Sequence, residues 1–224
     1  MRKIIEEYNN KLASVYDKAT KGEFKWIAPQ KITNKLLPLI KRKDIILDLG
    51  CGTGQSAEPF IKKGCKVIGT DISSEMLRIA RRKYRFWKLY KYDLEKGLKY
   101  LNFKRNFFDT VIAVGILEFV NNFKKTMEEI VELTKPGGYI GFTYELLLKN
   151  RKLQSKRVSP LGEGLLKPIP KLLSFKVYRY QPAEIKEILN ENKIKKIYSE
   201  KFISYFKTKK KIPIYYQMII GQKC

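Results

Sequence analysis

Three glycines at alternate positions are the residues of this chain whose type and spacing first suggest a binding site. Gly50, Gly52 and Gly54 follow an apolar run that ends at Asp48, and a segment compatible with a helix comes after them. Glycine permits positive φ and lets a ligand approach the backbone closely, while a helix start offers free N–H groups and a positive dipole end. The pattern predicts a strand, a tight turn and a helix start that bind an adenosine-like group.

Two acids extend this predicted site. Asp71 ends the segment CKVIGTD, and Asp93 falls at the end of the segment RFWKLYKYDL. A carboxylate at the end of the second strand of such a unit can accept hydrogen bonds from both ribose hydroxyls. Capping of the next helix is the alternative role for Asp71, but Ser73 can fill that role instead.

Candidates for proton transfer follow the fourth and fifth apolar segments. The chain contains no histidine, the side chain that most often serves as a general base near neutral pH. Glu118, Tyr144 and Glu145 are the remaining candidates, and of these we predict Glu118 and Tyr144 as catalytic residues. Each of them can also be purely structural.

The cysteines point to no metal site and to no thiol chemistry. The three cysteines show no CxxC spacing and there is no histidine, so the usual zinc-ligand combinations are missing. Cys51 lies inside the glycine turn, where we interpret it as a small residue that fits, because a nucleophilic cysteine generally has a base beside it.

A doubly wound sheet would bring these residues together. A strand over residues 44–49, a helix through residue 63 and a strand over residues 65–71 form a βαβ unit, whose right-handed crossover places the carboxyl ends of its two strands side by side. The alternation continues with helices over 73–83 and 121–134 and strands over 85–94, 106–117 and 139–145. After a helix over 182–190, two strands over 195–206 and 212–222 are joined by the lysine-rich turn 207–211, so they must be antiparallel.

The segment DLGCGTG resembles motif I of the class I S-adenosylmethionine-dependent methyltransferases. The dinucleotide pattern would need a small residue at Gln55, and the P-loop pattern would need Gly-Lys-Ser/Thr after Gly54, so neither fits. The segments GTDISSEML, KYDL, FFDTVIAVGILEFV and KPGGYIGF look like the family's later motifs, in the same order. One departure is Phe119, since members of this family often carry a histidine there, and no role of that histidine can be transferred.

The resemblance implies an α/β fold: a doubly wound, mostly parallel seven-stranded sheet with a C-terminal antiparallel hairpin and helices on both faces. It also implies S-adenosylmethionine as cofactor, with the glycine turn at the methionine moiety, Asp71 at the ribose and Asp93 at the adenine amino group. The residues that we predict to contact this cofactor are Asp48, Gly50, Cys51, Gly52, Thr53, Gly54, Asp71, Ile72, Met76, Tyr92, Asp93, Leu94, Val114, Gly115, Tyr16 and Trp26.

Two further parts of the chain are predicted to form the acceptor side of the site. Helices over 4–19 and 30–40 flank the aromatic loop 24–29, so Tyr8, Tyr16 and Trp26 either close over the cofactor or pack in the core. Residues 146–176 are rich in proline, glycine and basic residues, which predicts a long irregular insertion that acts as a lid or substrate contact. We predict that Tyr8, Glu145 and Arg179 contact the substrate, with a surface ion pair as the alternative for Arg179.

Composition sets the remaining expectations. We expect one domain over residues 1–224, made of a helical cap (1–43), a cofactor-binding core (44–145), an insertion or lid (146–180) and a C-terminal helix and hairpin (181–224). No apolar run suits a membrane span and no signal peptide is evident, so we expect a cytoplasmic monomer or homodimer. The net charge of +25 favours anionic ligands or nucleic acid, although a low-GC genome would produce the same bias without selection for any partner.

The leading functional hypothesis is methyl transfer to a small acceptor, anionic or aromatic, by in-line displacement. Such a reaction depends mainly on holding the two reactants in near-attack geometry, so few residues need to take part in chemistry. Methylation of tRNA, rRNA or protein is one alternative, which the charge supports but no accessory RNA domain does. A cofactor-binding module without catalytic activity is the other.

Overall fold

The computed structural model describes residues 2–22, 25–151, 154–160, 176–207 and 212–224. Its α-helices are α1 (Arg2–Lys21), α2 (Ala28–Leu36), α3 (Glu58–Lys63), α4 (Ser74–Lys83), α5 (Phe123–Leu133) and α6 (Pro182–Glu191). Its strands are β1 (Ile45–Leu49), β2 (Lys66–Asp71), β3 (Lys88–Lys91), β4 (Phe108–Ala113), β5 (Thr134–Glu145), β6 (Val158–Pro160), β7 (Lys176–Tyr178), β8 (Ile194–Lys207) and β9 (Ile212–Lys223).

Seven of these strands form the main sheet, in the order β3-β2-β1-β4-β5-β9-β8. Strands β1 to β5 run parallel, β9 is antiparallel to β5, and β8 pairs with β9 as an antiparallel hairpin. The predicted α/β fold with its closing hairpin is therefore confirmed. Strand order reverses between β1 and β4, and a crevice at such a switch point is where doubly wound sheets bind ligands.

Alternating residues of the central strands supply two cores, one on each face of the sheet. In β1, Leu47 and Leu49 pack with the residues of α5 and α6, whereas Ile46 packs on the other face with α2 and Phe60 of α3. All of them are fully buried, as expected for parallel strands covered by helices on both faces. The rigid layers hold the carboxyl ends of the strands in fixed positions.

Local capping explains where three of the six described α-helices begin. Ser73 accepts a hydrogen bond from the Met76 amide at the start of α4, and Asn122 does the same for the Lys125 amide at the start of α5. Gln181 and Glu184 form a capping box at α6, with Pro182 in the first turn. Accordingly, the predicted starts of these helices lie within about two residues of the observed ones.

Several predicted boundaries were wrong. Strand β3 is shorter than the predicted 85–94, because its backbone begins to pair with β2 only at Trp87, whose amide donates to the Val67 carbonyl. Strand β4 ends at Ala113 instead of residue 117, since Gly115 takes a φ of +66° and Leu117–Phe119 forms a 3₁₀ turn. The helix after the glycine turn begins four residues beyond Gly54, at Glu58.

The insertion after β5 has more regular structure than predicted. Strands β6 and β7 pair with each other as a small antiparallel sheet, with Val158 opposite Tyr178. Residues 152–153 and 161–175 of the predicted insertion, residues 208–211 of the predicted turn and Phe24 of the aromatic loop lie outside the described residues. No helix in the part of the chain that the structure describes is long and apolar enough to cross a membrane.

Candidate active site

A cavity of about 230 Å³ opens at the carboxyl ends of β1, β2 and β4, beneath helix α1. Its walls combine the glycine turn, the ends of the parallel strands, the inner side of α1 and the C-terminal hairpin. The lining residues with polar or aromatic side chains are Tyr8, Asn9, Tyr16, Thr20, Trp26, Asp71, Tyr92, Asp93, Glu95, Glu118, Phe119, Tyr205, Lys207 and Tyr216. The predicted contacts Gly50, Gly52, Ile72, Met76, Leu94, Val114 and Gly115 also line it.

Asp71 is fixed at the end of β2 by two backbone amides. The Gly52 amide donates to its Oδ2 at 2.9 Å, and the Ser73 amide donates to its Oδ1 at 2.8 Å. Burial raises the pKa of Asp71 to about 6, although these amides act in the opposite direction. The carboxylate is thus held in place at the cavity wall, where it can accept hydrogen bonds from a diol.

Asp48 lies behind the glycine turn and does not line the cavity. It is fully buried, and its Oδ2 accepts a hydrogen bond of 2.7 Å from the Ser56 hydroxyl. Its Oδ1 has no hydrogen-bond partner among the described residues, and burial raises its pKa to about 7. Cys51, Thr53 and Gly54 are likewise absent from the described lining of this cavity. Cys51 and Thr53 instead line a smaller pocket that shares Gly50 and Gly52 with this cavity. Asp48 and Gly54 line neither pocket in the described structure, and the prediction that these four residues contact the cofactor stays a prediction.

Helix α1 is tied to the glycine turn through Asp17, a residue that sequence reasoning missed. Its Oδ1 accepts hydrogen bonds from the Thr53 hydroxyl (2.6 Å) and the Gln55 amide (2.7 Å), and its Oδ2 pairs with the Lys83 ammonium group. Asn10 adds a second link, because its Oδ1 accepts a hydrogen bond from the Ser73 hydroxyl. These bonds place Tyr8 and Tyr16 of α1 on the cavity wall.

Three aromatic rings from distant parts of the chain meet at the cavity wall. The Trp26 ring lies 5.8 Å from the ring of Tyr205 and 5.5 Å from the ring of Tyr216, in edge-on arrangements. The indole covers Gly115, where an added Cβ would come within 2.6 Å of it. Only glycine allows this close approach together with the positive φ at position 115. Tyr205 and Tyr216 come from the hairpin and were not predicted.

Glu118 lies in the 3₁₀ turn after β4 and lines the same cavity. It is 2% exposed, and the Tyr216 hydroxyl donates a hydrogen bond to its Oε1. Its Oε2 is buried without a hydrogen-bond partner among the described residues. Burial raises the pKa of Glu118 to about 8, and the hydrogen bond from Tyr216 offsets only part of this shift. The group can therefore change its protonation state near neutral pH.

Two other predicted residues at the end of β5 lie away from the cavity. The Tyr144 ring packs among Phe123, Phe142 and Tyr180, and its buried hydroxyl has no hydrogen-bond partner in the described chain. Neither Tyr144 nor Glu145 is among the described residues that line the cavity. Burial raises the pKa of the Tyr144 hydroxyl, which disfavours its use as a base.

Glu145 forms a buried ion pair with Arg179. The guanidinium Nε donates to Glu145 Oε1 at 2.6 Å, and the Arg179 Nη1 donates to the Lys156 carbonyl. This pair joins the end of β5 to the segment after β7, which is a structural role. Arg179, which we predicted to contact the substrate, is not among the described residues of the cavity wall. The ion-pair alternative for Arg179 fits the structure, with the difference that the pair is buried.

The residues after β3 that we predicted as cofactor contacts lie on the cavity wall. Tyr92, Asp93 and Leu94 line the cavity, and Asp93 Oδ1 accepts a hydrogen bond from the Glu95 amide. Glu95 also lines the cavity, although nothing in its sequence position signalled it. The other lining residues that sequence reasoning missed are Ile5, Asn9, Leu12, Thr20, Ile116, Phe119, Val120, Tyr205, Lys207 and Tyr216.

The cavity fits an adenosyl cofactor with a small amino-acid tail. Gly52 lines it with a φ of +53°, and a Cβ added there would meet no atom within 4 Å, so the backbone faces open space. Asp71 and Asp93 stand at the ends of adjacent strands β2 and β3, where they can hold the ribose and the adenine amino group. The fold and this site define a doubly wound protein that binds a nucleoside cofactor at the switch point of its sheet.

Comparison with known proteins narrows this class. Residues 47–142 match the family of methyltransferase domains. A SAM-dependent methyltransferase from Methanosarcina mazei superposes with a TM-score of 0.68 at 21% identity, covering 84% of this chain and 96% of that one. Residues 47–142 belong to the family of methyltransferase domains, so the resemblance to class I S-adenosylmethionine-dependent methyltransferases noted in the motifs, and the cofactor class that it implied, are confirmed.

Two curated relatives each match about two thirds of this chain. An uncharacterized protein of Methanocaldococcus jannaschii is 35% identical over 140 residues, which are 62% of this chain and 51% of the relative. The ubiquinone biosynthesis O-methyltransferase of Thiobacillus denitrificans is 31% identical over 156 residues, 69% of this chain and 65% of the relative. The chain thus spans about half to two thirds of the length of these relatives.

Proposed function

We propose that this protein transfers a methyl group from S-adenosylmethionine to the hydroxyl oxygen of a small aromatic acceptor, with Glu118 as the proton acceptor. The observation that carries the proposal is the environment of Glu118. Its carboxyl group lines the cavity, one oxygen is held by Tyr216, and the other has no hydrogen-bond partner among the described residues. A buried polar atom without a partner is costly, so a ligand that donates a hydrogen bond to Oε2 is favoured.

The lining supports an aromatic acceptor over an anionic one. Trp26, Tyr205 and Tyr216 offer ring edges and faces to a planar ligand. Lys207 is the single cation among the described residues of the cavity wall, against four acids, Asp71, Asp93, Glu95 and Glu118. The basic insertion and Arg179, which suggested an anionic acceptor, supply no described side chain to this wall.

The residues of the chain divide the work between binding and proton transfer. Bound S-adenosylmethionine supplies a methyl group activated by its cationic sulfur. Asp71 and Asp93 bind the nucleoside, and the glycine turn allows the amino-acid tail to approach the backbone. Glu118 accepts the hydroxyl proton of the acceptor at Oε2 while Tyr216 holds Oε1, and the aromatic rings exclude water from the cavity.

The name of the Thiobacillus relative is compatible with this assignment, since it describes transfer to oxygen in ubiquinone biosynthesis. For the present chain, we propose the acceptor from the residues of its own cavity. The carboxylate form of Glu118 becomes populated as pH rises through about 8, so proton transfer from a phenol becomes easier over that range.

The test combines calorimetry with a turnover assay. S-adenosylhomocysteine should bind the purified protein, and radiolabelled methyl groups should pass to phenols or catechols in preference to aromatic carboxylates and amines. Glu118→Gln should abolish most of this turnover without loss of S-adenosylhomocysteine binding. Failure to bind S-adenosylhomocysteine contradicts the whole proposal. Binding without transfer to any acceptor favours the non-catalytic alternative, and transfer to tRNA alone favours the nucleic-acid alternative.

A further inference from the structure

The three segments at the starts of β1, β2 and β3 are strongly basic. Residues 41–43, 62–66 and 81–88 hold eleven lysines and arginines in sixteen positions and no acid. Each segment leads into one of three neighbouring parallel strands, with Ile45 of β1 opposite Lys66 and Ile68 of β2 opposite Lys88. Parallel neighbours begin at the same edge of a sheet, so the segments lie side by side as one surface, which we call the basic face.

The basic face lies at the edge of the sheet opposite the cavity. The cavity opens at the carboxyl ends of these strands, and a strand of five or six residues spans about 17–20 Å. A ligand on the basic face therefore does not enter the cavity. Lys62 pairs with Glu58, and Lys83 pairs with Asp17. Arg81, Arg82 and Arg85 pair with no carboxylate in the part of the chain that the structure describes, so their charge is available for binding. All three are exposed.

An exposed tryptophan stands among these cations. Trp87 is 43% exposed, and its ring centroid lies 4.9 Å from the Lys66 ammonium and 5.8 Å from the Lys88 ammonium. The Trp87 amide donates to the Val67 carbonyl, so the residue is anchored to the start of β2. An exposed aromatic ring beside cations is an arrangement with which proteins bind single strands, since bases stack on the ring while phosphates contact the charges.

We infer that the basic face binds single-stranded nucleic acid, with Trp87 as a stacking platform and Arg81, Arg82 and Arg85 as phosphate contacts. A membrane surface is less suited to it, because Trp87 is the single exposed large hydrophobic residue in the described parts of these segments. Insertion into lipid generally uses several apolar residues on one side of an amphipathic element. The inference does not depend on the proposed acceptor, and it describes a docking surface rather than a methylation site.

The test measures binding of short labelled oligouridylate and oligodeoxythymidylate by fluorescence anisotropy over a range of salt concentrations. Wild-type protein should bind with a steep salt dependence. The variant R81E/R82E/R85E should lose at least tenfold in affinity and show a salt slope that is smaller by about 2, since each phosphate contact to a single strand contributes about 0.7. Comparison of the two oligonucleotides distinguishes RNA from DNA as the preferred strand.

A matched control separates local contacts from net charge. The variant K186E/K195E/K196E makes the same change in charge at exposed positions on α6 and the opposite edge strand, β8. Lys195 and Lys196 are six strand spacings from β3, about 29 Å away and well beyond the Debye length. The control should bind nearly as well as wild type. An equal loss in both variants would overturn the inference, because it would show an effect of net charge alone.

Substitutions of Trp87 test the stacking contribution. Trp87→Ala should weaken binding roughly tenfold with an unchanged salt slope, and Trp87→Phe should recover most of the affinity. No effect of Trp87→Ala contradicts the stacking role. Binding to phosphatidylserine vesicles that requires the same arginines, without oligonucleotide binding, overturns the inference in favour of a membrane. Unchanged binding of S-adenosylhomocysteine to each variant shows that the fold and the cavity are intact.

Discussion

The hydroxyl of Tyr216 on β9 donates a hydrogen bond of 2.5 Å to Oε1 of Glu118, a residue 98 positions earlier in the chain. Both side chains are buried and both line the cavity. The bond holds Oε1 in place, whereas Oε2 is buried without a hydrogen-bond partner in the described structure, and we propose that a ligand supplies that partner. The position of Glu118, which we predicted as a catalytic residue from its place after β4, thus depends on the C-terminal hairpin.

Replacement of Glu118 should affect turnover far more than cofactor binding. Glu118→Gln keeps the size of the side chain but removes the proton acceptor, so we expect kcat to fall by about 100-fold or more. The dissociation constant of S-adenosylhomocysteine should change little, since Asp71 and Asp93 are untouched. Steady-state kinetics and calorimetry measure the two effects. A kcat within a factor of two of wild type would exclude Glu118 as the base.

Tyr216→Phe should shift the pH dependence of turnover. The hydrogen bond from Tyr216 stabilises the charged form of Glu118 and lowers its pKa, so its loss moves the pKa upward from about 8. In a plot of kcat against pH, the rise in rate should therefore occur at higher pH in this variant. The maximal rate should be approached only at alkaline pH. Tyr205→Phe is the control, since among the described residues the Tyr205 hydroxyl makes no hydrogen bond to Glu118. An identical profile in Tyr216→Phe would contradict the role of this hydrogen bond.

Asp71 should decide nucleoside affinity. Asp71→Ala removes the carboxylate and leaves the Gly52 and Ser73 amides without their acceptor, so we expect S-adenosylhomocysteine to bind roughly 100-fold more weakly. Asp71→Asn can still accept one of these hydrogen bonds and should lose less. Calorimetry with both variants measures whether Asp71→Ala binds S-adenosylhomocysteine more weakly than Asp71→Asn does. Equal affinity for wild type and Asp71→Ala would remove Asp71 from the site.

Asp17 offers a test of how helix α1 holds the cavity closed. Asp17→Ala breaks the hydrogen bonds to Thr53 and Gln55 and the ion pair with Lys83, none of which requires a ligand. We expect faster amide hydrogen exchange in α1 and about tenfold weaker binding of S-adenosylhomocysteine, with the sheet unaffected. Glu7→Ala, at an exposed position of the same helix, is the control. Unchanged exchange across α1 would refute the link.

The buried acid Glu118 should also make the stability of the folded chain depend on pH. Its pKa in the folded state is raised to about 8 from an ordinary value near 4.5, so the protonated form is favoured by folding. The free energy of unfolding should therefore fall as pH rises from about 4.5 to 8 and level off above that range, by an amount on the order of a few kcal/mol. Glu118→Gln should remove this component, which urea unfolding of both proteins at pH 5 and pH 8 can measure. Parallel curves for the two proteins would contradict it.

The sequence by itself determined the nucleoside half of the site. The glycines at 50, 52 and 54 and the acids Asp71 and Asp93 stand at strand ends, and parallel strands joined by right-handed crossovers must bring those ends together. Strand and helix periodicity was sufficient for the order of the elements. Boundaries were less accurate where tertiary pairing decided them, as at β3, which is limited by its contact with β2.

Only the tertiary structure decided which residues form the acceptor half. Tyr205 and Tyr216 reach the cavity because β9 pairs with β5 in a particular antiparallel register, and a shift by one residue would turn both rings to the other face. Tyr144 and Glu145 stand in the same strand end as predicted, yet one packs in the core and the other pairs with Arg179. Such long-range contacts cannot be predicted from the local sequence, because the direction of a side chain at a strand end depends on which other elements pack on each face of the sheet.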